Sequence, residues 1–287
     1  MHPAMRICSR FLALVRDHRW GGTTLISLYI SIVSGIVLAL HYDHTEAFYS
    51  LTTIELIVPY GAFWRSLHYF SSQFFFLAML AHLAAVLWKQ SADMHRSSWV
   101  RLCLSVPCGL LLLFTGYVLR GDATGEAAGM IAEHICLSIP LLGSILNDLL
   151  FDLSASGVRK VYAHHVIGLV VLGGITVWPH LRRYRAAIHN HLPLVLITLI
   201  LGTVLHAPIE ASRFGLLFIA GPWFFLGLQE LLRFLPAFVA GVLIPLAPLL
   251  ALCTLPQQGR IKHLFLVFLA LWLCVYGWFS WLCLQRI

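Results

Sequence analysis

The sequence predicts an all-α, polytopic membrane protein of about seven transmembrane helices, a four-helix bundle followed by a three-helix C-terminal part. Three observations predict it. Of 287 residues, 60% are hydrophobic and only 11% charged, where soluble domains carry about 25% charged residues. Apolar stretches of roughly 20 residues, each long enough to cross a bilayer's hydrocarbon core, recur along the chain. Basic residues fall in alternate connections between those stretches, which is how membrane proteins set their orientation.

The first span covers about 22–42, preceded by Arg6, Arg10, Arg16 and Arg19. Spans two and three, about 62–89 and 98–119, are joined through Lys89 and Arg96. Span four, about 158–181, is followed by Arg182, Arg183 and Arg185. The last three cover about 191–207, 237–255 and 262–284, with Arg260 and Lys262 between the final two. All these cations lie on one side, which the positive-inside rule makes cytoplasmic, so the N terminus is expected inside a cytoplasmic (inner) membrane. The opposite connections carry Asp43, Glu46, Glu55, Asp122, Glu126, Glu133, Asp148 and Asp152, with Arg120, Arg159 and Lys160 as exceptions.

Two further segments read as helical without spanning. Residues 126–150 form a long outer connection with an amphipathic pattern, closed by Pro140 and Gly143. Residues 222–235, with Trp223, Phe224 and Phe225 followed by Arg233, suit a helix lying at the membrane interface. The polar break near 184–192 places a boundary between two parts, 1–188 and 189–287.

The net charge of +7 is carried by short loops rather than by a basic run interleaved with aromatics, which excludes a nucleic-acid partner. The seven cysteines (Cys8, Cys103, Cys108, Cys136, Cys253, Cys274, Cys283) are scattered and form no C-x-x-C or C-x-x-C-H, so they read as small hydrophobes. The basic first 20 residues show no cleavable signal pattern, and span one is expected to direct insertion.

Ionisable side chains inside a span are costly and usually serve a function. Span two carries His68 and His82, spaced H-x13-H, an advance of about 21 Å that returns to within about 40° of one face. Span four carries His165 and His180, spaced H-x14-H, an advance of about 22 Å, again on one face. Two helices running in the same direction thus offer one imidazole each at two levels. That is the donor set for two bis-histidine haems, one near each membrane surface. His164 is an alternative to His165, although its spacing to His180 turns it further off the shared face. Arg65, one turn before His68, is placed to meet a haem propionate. Gly22, Gly35 and Gly116 sit where a missing side chain would let a porphyrin approach a backbone.

On Ser34-Gly-Ile-Val-Leu-Ala-Leu-His-Tyr42, Arg65-Ser-Leu-His68, Phe74-Phe-Phe76, His82, Gly116-Tyr-Val-Leu119, Ser138-Ile-Pro-Leu-Leu-Gly143 and the His165/His180 span, the chain resembles the cytochrome b of quinol–cytochrome c and quinol–plastocyanin complexes. The resemblance covers nearly the whole chain. It implies that His68 and His165 hold a low-potential outer haem b and His82 and His180 a high-potential inner one, with Arg65 on an outer propionate. The span-four spacing and the total of seven helices are similar to the chloroplast-type split cytochrome, here fused in one chain. Departures are equally specific. The outer quinol signature Pro-Glu-Trp-Tyr reads Gly221-Pro-Trp-Phe-Phe225, without the glutamate. The usual Pro-Trp-Gly after G-Y-V-L reads Arg120-Gly-Asp122, the 208–221 connection is short, and no cysteine stands near Trp20-Gly-Gly22.

Quinol oxidation needs a base near the quinol hydroxyls, and Glu230, Asp122 and Glu126 are the candidate proton acceptors. Arg182, Arg183, His189 and His191 could line an inner quinone pocket. The expected function is therefore the dihaem cytochrome b subunit of a respiratory complex, part of a quinol-dependent oxidoreductase that needs its partners. The cofactors are two haem b and a quinone, menaquinone being the expected type. The expected partners are iron–sulfur proteins or a multihaem c-type cytochrome, membrane lipids, and a second copy of the complex in a dimer. The alternatives are a non-Rieske relay with a single quinone site and a haem-free anchor subunit. A transporter is disfavoured because no inverted repeat or broken helix pair is visible.

Overall fold

Apolar helices of this length have no stable alternative to helical hydrogen bonding in a bilayer, and helices dominate the structure. The structure, a computed structural model, describes residues 18–88, 94–153, 155–210, 218–255 and 260–286. The expected charge markers Arg6, Arg10, Arg16 and Lys89, and Cys8, lie outside the described residues. Among the described residues, five helices are long and apolar enough to cross a membrane: α1 (Trp20–Ala39), α3 (Gly61–Trp88), α4 (Arg96–Val118), the stretch Gly157–Leu181, and α12 (Arg260–Leu284). Shorter apolar helical stretches, Ile188–Val204 and Val239–Thr254, occupy the expected fifth and sixth spans. The first contains α9 (Leu192–Val204), and the second a π-turn (Val239–Leu243) leading into α11 (Ile244–Thr254).

α3 lies along α1, which buries Ser27, Ser31 and Ser34 of α1 and Ser71 and Ala78 of α3. Small side chains let two membrane helices approach closely, and van der Waals packing then replaces the hydrophobic drive that lipid removes. α4 packs on α8 (Leu169–Leu181), α9 on α3, and α11 on α4. Trp99 of α4 donates its indole N–H to the Leu252 carbonyl of α11 at 2.7 Å.

Between the spans, on the side expected to be outer, lie α2 (Ala47–Leu56), α5 (Ala123–Leu137) and α6 (Gly143–Leu150). The expected amphipathic connection 126–150 is thus two helices, joined through Pro140 and Leu141, whose φ is 65°. Gly121 makes the turn from α4 to α5 with a φ of +62°, and a Cβ there would stand 2.8 Å from both the Ala47 Cβ and the Phe48 nitrogen of α2. Only glycine serves both demands. Tyr42 donates to the Leu119 carbonyl at 2.6 Å, so the two quoted motifs ending at Tyr42 and Leu119 meet in space and close the end of α4.

Segment 222–235 holds a short helix, α10 (Leu226–Leu231), whose Leu226, Gly227, Leu228, Glu230 and Leu231 are buried. It packs on α12, and Tyr276 donates to the Phe224 carbonyl at 2.7 Å while accepting from the Leu228 N–H at 3.3 Å. Tyr276 therefore ties the segment to α12. The core around Phe114, Val118, Ala128, Ile135 and Val161 also includes Phe225, Leu228, Leu231 and Ala240. Residues from both sides of the 188/189 boundary therefore share one core.

Candidate haem site

The four histidines of the spans form two facing pairs. His68 faces His165 with ring centres 6.2 Å apart, and His82 faces His180 at 6.1 Å. A metal–imidazole bond of about 2.0–2.1 Å on each side, with about 1.1 Å from ring nitrogen to ring centre, puts two trans imidazoles about 6.3 Å apart. Both pairs already have the separation that one iron between them requires. Among the described residues no cluster of three or more His, Cys, Asp or Glu is spaced to hold a metal ion. Two facing imidazoles are a donor set that suits haem iron.

The rings of the His68/His165 pair are held from behind. His68 Nδ1 lies 2.9 Å from the Ser31 carbonyl and 3.4 Å from Ser34 Oγ. A carbonyl only accepts, so Nδ1 carries the hydrogen and Nε2 keeps its lone pair for a metal. His165 Nδ1 lies 2.9 Å from Thr115 Oγ1, whose own hydroxyl donates to the Leu111 carbonyl at 2.7 Å. That hydroxyl is left to accept, which selects the same tautomer. Fixing a ligand's far nitrogen in this way sets both ring orientation and basicity.

Glycines face three of the four rings. A Cβ built on Gly35 would stand 2.9 Å from His68 Cε1, one on Gly116 3.1 Å from His165 Cε1, and one on Gly21 3.1 Å from His82 Cε1. Gly35 and Gly116 are the two expected positions. The third is Gly21, because the expected Gly22 instead faces His191 and Tyr184. Gly35→Val is expected to lower haem b content, since the added branches collide with the His68 ring. Haem b per protein by pyridine haemochrome checks this, and unchanged content counts against the cradle.

The unequal spacings H-x13-H and H-x14-H have a physical resolution. Fifteen residues of regular α-helix would leave His165 and His180 about 60° out of phase. A π-turn, His164–Gly168, closed by the Leu169 N–H on the His164 carbonyl, interrupts the helix between α7 (Ala155–Ala163) and α8. It absorbs one residue, so fifteen positions act as fourteen and match the phase of α3. His165 faces His68, whereas His164 turns its Nε2 to the Leu149 carbonyl of α6 at 2.8 Å.

The Cytochrome b/b6/petB family matches residues 12–186. The chain belongs to the cytochrome b/b6 family. It is 30% identical over 161 residues to cytochrome b6 of Heliobacterium mobile, covering 53% of this chain and 76% of that protein. To cytochrome b6 of Bigelowiella natans it is 28% identical over 171 residues, covering 58% and 80%. Among solved structures, a hyperthermophilic respiratory Complex III chain aligns with TM-score 0.68 at 20% identity, over 92% of this chain and 82% of that one. Membership of the cytochrome b/b6 family makes this a b-type cytochrome subunit of a membrane electron-transfer complex, and the paired imidazoles fit that assignment.

Other expected residues stand in altered surroundings. Arg65, 5% exposed, donates Nε to Glu55, Nη1 to the Pro208 carbonyl at 3.2 Å and Nη2 to the Ala207 carbonyl. All three nitrogens thus bind protein groups, and Arg65 latches the 207–208 segment. Ser66 strengthens the latch by accepting from the Ala207 N–H at 2.9 Å. Asp122, 1% exposed, caps α5 by accepting from the Gly125 N–H at 3.0 Å, pairs with Arg120, and accepts from the Glu210 N–H at 3.1 Å. Glu230, also 1% exposed, pairs with Arg233 and Arg286, each at 3.1 Å. Both carboxylates are thus tied into ion pairs, Asp122 with Arg120 and Glu230 with Arg233 and Arg286. Glu126 remains exposed on α5. Of the expected inner cluster, His191 is buried while Arg182, Arg183 and His189 are exposed.

Sequence reasoning missed Glu55 and His206. Glu55 accepts from His206 Nδ1 at 2.9 Å as well as from Arg65. Burial raises the Glu55 carboxyl, but the hydrogen bonds and charges of Arg65 and His206 outweigh it and hold the group below the ordinary value. The partners are 10 and 151 positions away, and no local pattern signals them. Beside the His68/His165 pair, Tyr69 and Tyr117 approach to 3.2 Å, Arg120 lies 5.0 Å over the Tyr117 ring, and Trp223 donates to Gln73 at 2.8 Å.

Proposed function

We propose that this chain is the dihaem cytochrome b subunit of a respiratory membrane complex. It would link membrane quinol or quinone, menaquinone being the expected type, to partner redox subunits. The observation that carries the reading is the two imidazole pairs at iron-spanning separation, stacked about 21 Å apart along one helix. Bound haems supply one-electron transfer at each level. The chain's own residues would fix the ligand tautomers through Ser31 and Thr115, admit the macrocycles over Gly21, Gly35 and Gly116, and insulate them from water. His68 and His165 serve the outer level, His82 and His180 the inner. The N terminus is placed in the cytoplasm and the chain in the inner membrane. Iron–sulfur or c-type cytochrome subunits are the partners, with the complex as a dimer.

The test is a haem count. The wild-type chain should hold two haem b, and His68→Leu or His165→Leu should leave one. His82→Leu or His180→Leu should also leave one, with the complementary spectral component. A wild-type stoichiometry of one or none overturns the reading.

A second reading, a non-Rieske relay with a single quinone site, is favoured by Gly221-Pro-Trp223, which lacks the signature glutamate. The ion-paired Asp122 and Glu230 add support, because neither is free to take its place. A quinone-analogue titration of haem reduction separates the two, since inhibition at two independent sites excludes the relay.

A further inference from the structure

The residue beside the proposed outer ligand has an unexplained arrangement. His164 opens the π-turn, and its backbone carbonyl accepts the i+5 bond from Leu169 that closes the turn. Its ring lies against Gly168, where a built Cβ would stand 3.1 Å from His164 Nδ1. Its Nε2 lies 2.8 Å from the Leu149 carbonyl, in the last turn of α6, where helix carbonyls have no intrahelical partner. One turn earlier on α7, Lys160 Nζ donates to the neighbouring Asp148 carbonyl at 2.6 Å. Two side chains therefore cap α6, but only His164 belongs to the turn that aims His165.

We propose that His164 is a positioning residue for the outer haem pair. By tying the π-turn to the end of α6 it fixes where the extra residue of span four is absorbed, and hence the angle at which His165 meets His68. The proposal rests on the dihaem reading with His165 as ligand. A π-turn is a loosely held element that can migrate along its helix, because any nearby residue can be the one accommodated. The Leu149 contact and the absence of a side chain at Gly168 favour a single position, the one that leaves Thr115 bonded to His165.

The experiment compares His164→Phe, His164→Gln, Lys160→Met and His165→Phe in the intact membrane complex, reading haem b content and the low-spin EPR signals of the oxidised haems. His164→Phe should keep two haems, shift and broaden the outer signal and leave the inner one unchanged. His164→Gln, whose amide can still donate to Leu149, should restore the wild-type signal. Lys160→Met loosens the same helix end without entering the turn and should leave both signals as in the wild type. His165→Phe should lose the outer haem. An outer signal in His164→Phe identical to wild type, or an equal shift in Lys160→Met, overturns the proposal and leaves the dihaem reading standing. Loss of the outer haem in His164→Phe with retention in His165→Phe overturns the ligand assignment. A wild-type protein with fewer than two haems overturns the dihaem reading itself.

Discussion

On the proposed dihaem reading, deleting Ile167 is expected to leave both haems in place, whereas deleting Leu77 loses the one at His82 and His180. Both positions expose an apolar side chain, 63% for Ile167 and 49% for Leu77, so neither deletion removes much packing. Their effects differ because of helix phase. Within regular helix, removing a residue rotates everything beyond it by about 100° and shifts it by about 1.5 Å. Leu77 lies between His68 and His82 in the uninterrupted α3, so its deletion swings His82 away from His180. Ile167 lies in the π-turn, and its deletion removes the residue that the turn accommodates. The turn then relaxes to α-helix, span four acquires the H-x13-H spacing of span two, and the ligands stay in register. Haem b content of the two variants in membranes is the measurement. Loss of a haem in the Ile167 deletion, or retention of both in the Leu77 deletion, counts against the phase argument.

Arg65→Met is expected to destabilise the protein by about 3–5 kcal/mol, the cost of removing one partner from a buried ion pair. Side-chain exposure is 6% for Arg65 and 11% for Glu55, so neither is rescued by water, and the Ala207 and Pro208 carbonyls lose their donors as well. Glu55→Gln should cost less, because its amide oxygen still accepts from Arg65. The measurement is the midpoint of thermal haem-b absorbance loss in detergent. An unchanged midpoint with a shifted outer haem potential would restore the propionate role to Arg65. The Glu55 carboxyl is held below its ordinary value, so its contribution is fully present above the unfolded-state value of about 4.3 and is lost as pH falls through the lower folded value. The wild type should therefore lose stability more steeply than Glu55→Gln below about pH 4. Parallel profiles would remove Glu55 from the latch.

The spans, their order and the four paired histidines were legible because membrane insertion imposes a one-dimensional code: apolar length, alternating flanking charge and helical phase. His68, His82, Gly35 and Gly116 follow from that code and from short motifs. What it could not carry is the choice of partner for a buried charge. Asp122 and Glu230 read as candidate proton acceptors, and folding sets Asp122 against Arg120 and Glu230 against Arg233 and Arg286. Arg65 reads as a propionate contact because it stands one turn from His68, and the fold brings it the carbonyls of residues 207 and 208 instead. A charge taken from water finds whichever counter-group the packing supplies: a near neighbour for Asp122, but groups 142 and 143 positions away for Arg65.

The sequence by itself determined that this is a membrane helix bundle with four histidines at two depths. It also left one residue too many between His165 and His180, without saying where that residue goes. The tertiary structure placed it in the π-turn at His164–Gly168, because rotation accumulates along a helix and only the facing histidine on α3 fixes the angle at which it must stop.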